Sequence, residues 1–111
     1  MDYNARPAKV DIEFTQGDTI NFSYEVFINS VALILTGLKI RLKVRRKDGL
    51  LVKDWSTVTG EINTLGSIYN VYTSSGFIDA GDFDYDVDVT DVSDTYTFQS
   101  GSFHVIKQIT T

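Results

Sequence analysis

The chain has no cysteine, one proline, one histidine and one tryptophan in 111 residues. Without cysteine there is no disulfide, no thiol nucleophile and no Cys-ligated zinc or iron–sulfur centre. The single histidine, His104, stands in a stretch that reads as a strand, and no Ser–His–Asp arrangement follows from its spacing. Long apolar runs are also missing. The longest, Val31–Leu35, is far short of the roughly 20 residues that cross a bilayer. Positive charge is scarce: ten Lys and Arg against fifteen Asp and Glu leave a formal net charge of −5. That balance argues against a phosphate backbone as the main ligand, because such sites need clustered cations. Glycine-rich phosphate loops are absent as well. The first residues, MDYNARPAK, are polar and lack the apolar core of a signal peptide.

What is present is alternation. In Gly81–Thr90, GDFDYDVDVT, Phe83, Tyr85, Val87 and Val89 alternate with Asp82, Asp84, Asp86 and Asp88. A period of two over ten residues marks a half-buried strand. Leu38–Lys47 mirrors it, with Leu38, Ile40, Leu42 and Val44 on one face and Lys39, Arg41, Lys43 and Arg45 on the other. Four carboxylates in a row repel unless cations lie alongside, so the two strands are expected to be antiparallel neighbours with their charged rows on one outer face. Opposite-charge cross-strand pairs contribute about 0.2–1 kcal/mol each. Their larger effect is on register, since a one-residue slip would turn the aspartates inward.

The remaining pattern is also strand and turn. Val10–Thr15 and Thr19–Phe27 alternate around the turn Gln16-Gly17-Asp18, and Asp48-Gly49 is a hairpin signal before Leu50–Trp55. Short strands are expected at Glu61–Asn63 and Ile68–Tyr72. In Tyr96–Lys107 the apolar phase changes from even to odd positions, which predicts a β-bulge at Ser100-Gly101. The fold class is therefore all-β, an immunoglobulin-like antiparallel sandwich of about seven or eight strands. Residues 1–9 read as an N-terminal arm and residues 10–111 as one sandwich domain.

Candidate chemistry is sparse. The aspartate row is a poor calcium site, because same-face residues on a strand are about 6.6–6.8 Å apart and no glycine turn brings them together. It is a poor glycosidase pair too, since exposed strand carboxylates have no apolar pocket to raise a pKa. Trp55, Tyr69 and Tyr72 are the aromatic residues from which a sugar-stacking surface would be built.

The chain also resembles known modules. Asp79-Ala80-Gly81-Asp82-Phe83-Asp84-Tyr85 is similar to the D-x-G-x-Y-x-C run of immunoglobulin domains, with Tyr85 in the cysteine's place and Trp55 after the third strand instead of within it. A second resemblance covers nearly the whole chain. Ile12–Thr19 with its G-D-T turn, Leu35-Thr36-Gly37 leading into the Leu38–Arg45 strand, Gly81–Val87, and Gly101-Ser102-Phe103-His104-Val105 with the terminal Thr110 resemble phage virion β-sandwich modules. The family is that of the baseplate upper protein N-terminal domain and related tail and capsid accessory proteins. The resemblance implies virion assembly and no catalysis. Baseplate modules of this type anchor a longer fibre portion, whereas this chain stops after the sandwich, so an accessory capsid or tail component is the expectation. It implies contact with other virion proteins, homo-oligomerisation in the particle, and no cofactor, metal, nucleic acid or membrane. The contact surfaces expected are the arm (Tyr3, Arg6, Pro7), the apolar run (Val31, Leu33, Leu35) and the loop containing Phe77. A carbohydrate-binding module of a cell-surface or secreted protein is the alternative.

Overall fold

The computed structural model describes residues 8–73, 79–92 and 94–107. These residues are 67% strand with no helix. Eleven strands are formed: β1 (Ala8–Lys9), β2 (Ile12–Thr15), β3 (Ile20–Glu25), β4 (Phe27–Ile28), β5 (Val31–Ala32), β6 (Lys39–Arg45), β7 (Leu51–Ser56), β8 (Ile62–Leu65), β9 (Ile68–Thr73), β10 (Gly81–Asp91) and β11 (Asp94–Ile106). The number exceeds the seven or eight expected partly because β4 and β5 make a small hairpin inside the loop between two longer strands. The first strand is also split, into β1 and β2, and Ala8 and Lys9, expected as the end of the arm, pair with β11.

The largest sheet has the order β1-β11-β10-β6-β7, with β2 also on β11. A second sheet has the order β3-β9-β8. Their apolar sides meet. Phe14 of β2 contacts Phe22 of β3 at 5.8 Å between ring centroids, and Phe98 of β11 meets Tyr69 of β9 edge-on at 5.8 Å. The alternation in β6 and β10 fills this interior: Ile40, Leu42, Val44, Val87 and Val89 are completely buried. Trp55 is buried against Phe103.

The predicted bulge is real but misplaced. Val87 pairs with Gln99 and Asp88 with Thr97, so the extra residue is Phe98, not Ser100 or Gly101. Phe98 and Gln99 are both buried as consecutive residues. A glutamine in the core needs partners, and Gln99 has two. The Tyr69 hydroxyl donates to Gln99 Oε1 at 2.7 Å, and Gln99 Nε2 donates to the Tyr85 hydroxyl at 2.9 Å. Tyr85 in turn donates to the Val10 carbonyl at 2.6 Å. This chain of bonds runs from the second sheet through β11 and β10 to the segment between β1 and β2.

Gly101 has a different task. A Cβ there would lie 2.1 Å from the Val10 carbonyl oxygen. In an uninterrupted parallel ladder the Ser102 amide would donate to that oxygen. Here the oxygen accepts from Tyr85 instead, and the Ser102 amide donates to Asp11 Oδ1 at 3.1 Å. The break between β1 and β2 is thus a place where a side-chain carboxylate stands in for a backbone carbonyl.

The edge strand β7 carries Lys53 on its core-facing side, opposite Val44 and in line with Trp55. Burial pushes the Lys53 amine down from its ordinary pKa. An inward-pointing charge is one of the devices that keep an edge from pairing with another chain.

Replacing Tyr85 by Phe removes the donor to Val10 and the acceptor for Gln99, and urea unfolding is expected to show a loss of about 1–3 kcal/mol. Gly101→Ala forces β1–β2 off β11 and is expected to lose about 3 kcal/mol or more; an unchanged urea midpoint would refute the close approach. The relay also fixes the alkaline limit. Burial pushes the Tyr85 hydroxyl up to about 12 and raises Tyr69 further, while an unfolded tyrosine ionises near about 10. A raised pKa stabilises the protonated form, so this stability is complete below pH 10 and is lost as pH rises from there towards 12. Thermal midpoints measured against pH should fall in that window, and less steeply in Tyr85→Phe.

Candidate functional site

Two surfaces are candidates, one charged and one apolar. The charged one is the outer face of the large sheet. Asp84, Asp86 and Asp88 stand directly opposite Arg45, Lys43 and Arg41, and Thr90 stands opposite Lys39. The acidic and basic rows therefore share a face, as the alternation predicts, offset by one pair. Asp82 extends beyond β6 and pairs across to His104 of β11, whose Nδ1 shares a hydrogen bond with its carboxylate.

Side-chain partners depart from simple cross-strand matching. Arg41 turns away from Asp88 to a forked pair with Asp54 of β7, its Nε donating at 2.7 Å. The hydrogen bond and charge of Asp54 raise the Arg41 pKa, and the same contact, despite an opposing effect of burial, holds Asp54 below its usual value. Asp88 accepts instead from Thr97 at 2.7 Å, and Asp84 takes Lys47 of the following turn at 2.7 Å. Asp86 is left least served: one carboxylate oxygen is buried with no hydrogen-bond partner among the described residues. Burial, reinforced by Asp88, raises its pKa against the pull of Lys43 and Arg45.

An open cleft at the edge of this face is lined by Lys39, Arg41, Asp54, Ser56, Val58 and Thr59, among others. Its hydroxyls are engaged: Ser56 and Thr59 bond each other, and Thr59 donates to Glu61. Burial raises the Glu61 pKa, but hydrogen bonds from Thr59 and the Ser56 amide outweigh it and the net shift is downward. A carboxylate so stabilised is a weak base for activating a hydroxyl. Among the described residues no three acidic or histidine side chains come together to hold a metal ion.

The apolar surface lies at one end, where β3 leads into β6. The expected contact run Val31–Leu35 divides. Leu33 and Leu35 are core residues, whereas Val31 is 68% and Ile34 60% exposed. Backbone bonds set this alternation: the Leu33 amide donates to the Val26 carbonyl and the Leu35 amide to the Gly66 carbonyl, each at 2.9 Å. The Val26 amide donates to the Ser67 carbonyl, also at 2.9 Å, so the loop is stitched to the β8–β9 turn. That turn presents Leu65, 81% exposed, opposite Ile68. Phe27, 54% exposed, flanks it from β4. Of the other expected contacts, Tyr3, Arg6, Pro7 and Phe77 lie outside the described residues.

Ile34 falls within the expected run Val31–Leu35, but neither alternation nor turn signals single out Phe27, Leu65 and Ile68 as surface contacts. The available signal was the absence of charge: Val26–Leu38 and Ile62–Thr73 contain no Asp, Glu, Lys or Arg, in a chain that is 23% charged. For the sugar-stacking set, Trp55 and Tyr69 are in the core and only Tyr72 is exposed, so the three form no common platform. No family model matches the chain, and no curated protein matches it.

Asp86→Asn removes a carboxylate that is costlier in the folded than in the unfolded state at neutral pH. The variant is expected to be more stable than the parent at pH 7, by well under about 1 kcal/mol given the partial exposure of the site. The advantage should vanish as pH falls and Asp86 takes up its proton, a trend that thermal melts from pH 7 to pH 3 would follow. A variant less stable than the parent at pH 7 would show that Asp86 is needed by Lys43 and Arg45.

Proposed function

We propose that this chain is a non-enzymatic structural component of a bacteriophage virion, an accessory capsid or tail/baseplate protein that docks on other virion subunits. Its architecture in this reading is an immunoglobulin-like sandwich. The sheet orders support that: β3, β9 and β8 correspond to strands B, E and D, and β6, β7, β10 and β11 to C, C′, F and G. The split first strand lies parallel to the last. Tyr85 occupies the place of the strand-F cysteine, and its hydrogen-bond relay takes over the task of joining the layers.

The observation that carries the docking role is the set of exposed apolar residues Phe27, Val31, Ile34 and Leu65 on the two uncharged segments Val26–Leu38 and Ile62–Thr73. Large exposed apolar groups gathered at one place mark an interaction surface. The motifs that resemble virion modules give the class of partner. Leu35-Thr36-Gly37, one of those motifs, is part of this end. The carbohydrate-binding reading has less to draw on, because two of its three aromatic residues are buried.

The test is composition of purified particles. Phage particles from a lysate of a host carrying this gene, banded by density and analysed by mass spectrometry, should contain the chain at a fixed ratio to the major capsid protein. Deleting the gene should give particles of altered stability or infectivity. Particles free of the chain, with assembly unchanged on deletion, would defeat the reading.

A further inference from the structure

The open cleft at the edge of the charged face has the makings of an anion site. We propose that it binds a peptide-borne carboxylate between Lys39 and Arg41, with the neighbouring apolar side chain of the peptide on Val58. The inference stands apart from the virion reading and does not rest on it.

The first observation is an overhang in the charged ladder. Asp84, Asp86 and Asp88 stand opposite Arg45, Lys43 and Arg41, so the basic row runs one position further and Lys39 stands opposite Thr90. The Thr90 hydroxyl is bonded to that of Thr95. On the other side, β7 ends with Ser56 opposite Arg41, and Thr57 bonds to Ile40. The residue that follows, Val58, lines the same cleft as Lys39. Lys39 is thus an exposed cation with no carboxylate opposite it, and it forms no ion pair among the described residues.

The second is the geometry of Arg41. Its Nε and Nη2 donate to the two oxygens of Asp54. That contact uses one edge of the guanidinium and fixes its plane. The other edge, between Nη1 and Nη2, has no hydrogen-bond partner among the described residues. A guanidinium edge presents two parallel N–H donors and binds a carboxylate bidentately. Because Asp54 already holds the group in place, a ligand meets a donor pair that needs little further ordering.

The third is the cavity. Lys39, Arg41, Asp54 and Val58 line one cleft of about 480 Å³, within the roughly 300–1,000 Å³ of small-ligand sites. Its lining has two cations for one carboxylate. Two other open clefts have the reverse balance: one joins Lys9 to Asp11 and Asp84, the other Arg46 and Lys47 to Asp48, Asp79 and Asp82. The formal net charge of −5 repels polyanions at long range, and a single carboxylate is repelled least. Val58 is exposed and offers apolar contact to the residue that carries the charge. Asp54, and Asp88 opposite Arg41, offset part of the positive charge, so the affinity is millimolar.

Heteronuclear NMR of the isotope-labelled full chain tests this. Acetyl-Val-Val, which ends in a free carboxylate, should move the amide signals of Lys39, Arg41, Val58 and Thr59 along a saturable curve with a millimolar Kd. Its C-terminal amide, which lacks the charge, should leave them in place. Acetyl-Val-Glu-Val amide, charged only on its side chain, tells a side-chain carboxylate from a chain terminus, and binding by either peptide upholds the proposal. Sodium chloride at about 0.5 M should weaken the complex. Lys39→Gln, at an exposed position, should weaken it about two- to five-fold, and Arg41→Lys, which keeps the charge and loses the fork, should do likewise. The proposal is overturned if neither carboxylate peptide moves these signals up to about 50 mM, if the uncharged amide moves them equally, or if the titration is indifferent to both substitutions. Tighter binding of inorganic phosphate than of either peptide overturns the assignment to a carboxylate.

Discussion

One line of hydrogen bonds determines how the layers of this protein fit. It passes from Tyr69 to Gln99, from Gln99 to Tyr85, and from Tyr85 to the backbone of Val10. Each member is buried or nearly so, and each hydrogen bond satisfies a group that would be costly to leave unpaired. The relay explains features that otherwise look unrelated. Phe98 bulges so that Gln99 can face inward. Gly101 lacks a side chain so that the Val10 carbonyl can approach. Asp11 supplies the acceptor that the Ser102 amide would have found in Val10. Aromatic packing around it, from Phe98 to Tyr69 and from Tyr85 to Phe103, holds the participants in place.

The outer charged face has a lesser energetic part and a larger organisational one. Its ion pairs are exposed, and exposed pairs contribute little. What they specify is alignment. With Asp84, Asp86 and Asp88 opposite Arg45, Lys43 and Arg41, a slip by one residue would turn charges into the core, whereas a slip by two would keep opposite charges facing, so the rows decide which face of each strand is outward and the packing of the inner side decides among the remaining registers. The two sides of one sheet therefore have different parts: the inner side holds the layers together, and the outer side keeps the charged face of each strand turned to solvent.

Much of this was legible in the sequence. The strands at Gly81–Thr90 and Leu38–Lys47, their pairing and their shared charged face follow from a period of two and complementary charge. The bulge was harder. Ser100-Gly101 has the composition of one, but the residue that leaves the ladder is Phe98, because an inward glutamine is acceptable once two tyrosines meet it. No local pattern reveals partners thirty and fourteen residues away. The Val31–Leu35 run was ambiguous for a similar reason. Its inward and outward positions are set by backbone bonds to Val26 and Gly66, and the second of these belongs to another sheet. The docking candidates Phe27 and Leu65 show only as missing charge, a weak signal without the fold to gather them, whereas Ile34 lies within the apolar run Val31–Leu35.

Lys53 has a consequence for behaviour at high concentration. A module held at high local concentration with an open sheet margin is at risk of growing, strand by strand, into a fibre. An amine turned beneath that margin makes lateral addition unfavourable, since a newcomer would have to seal an ion under its own backbone. Lateral growth from the β7 margin is thereby disfavoured.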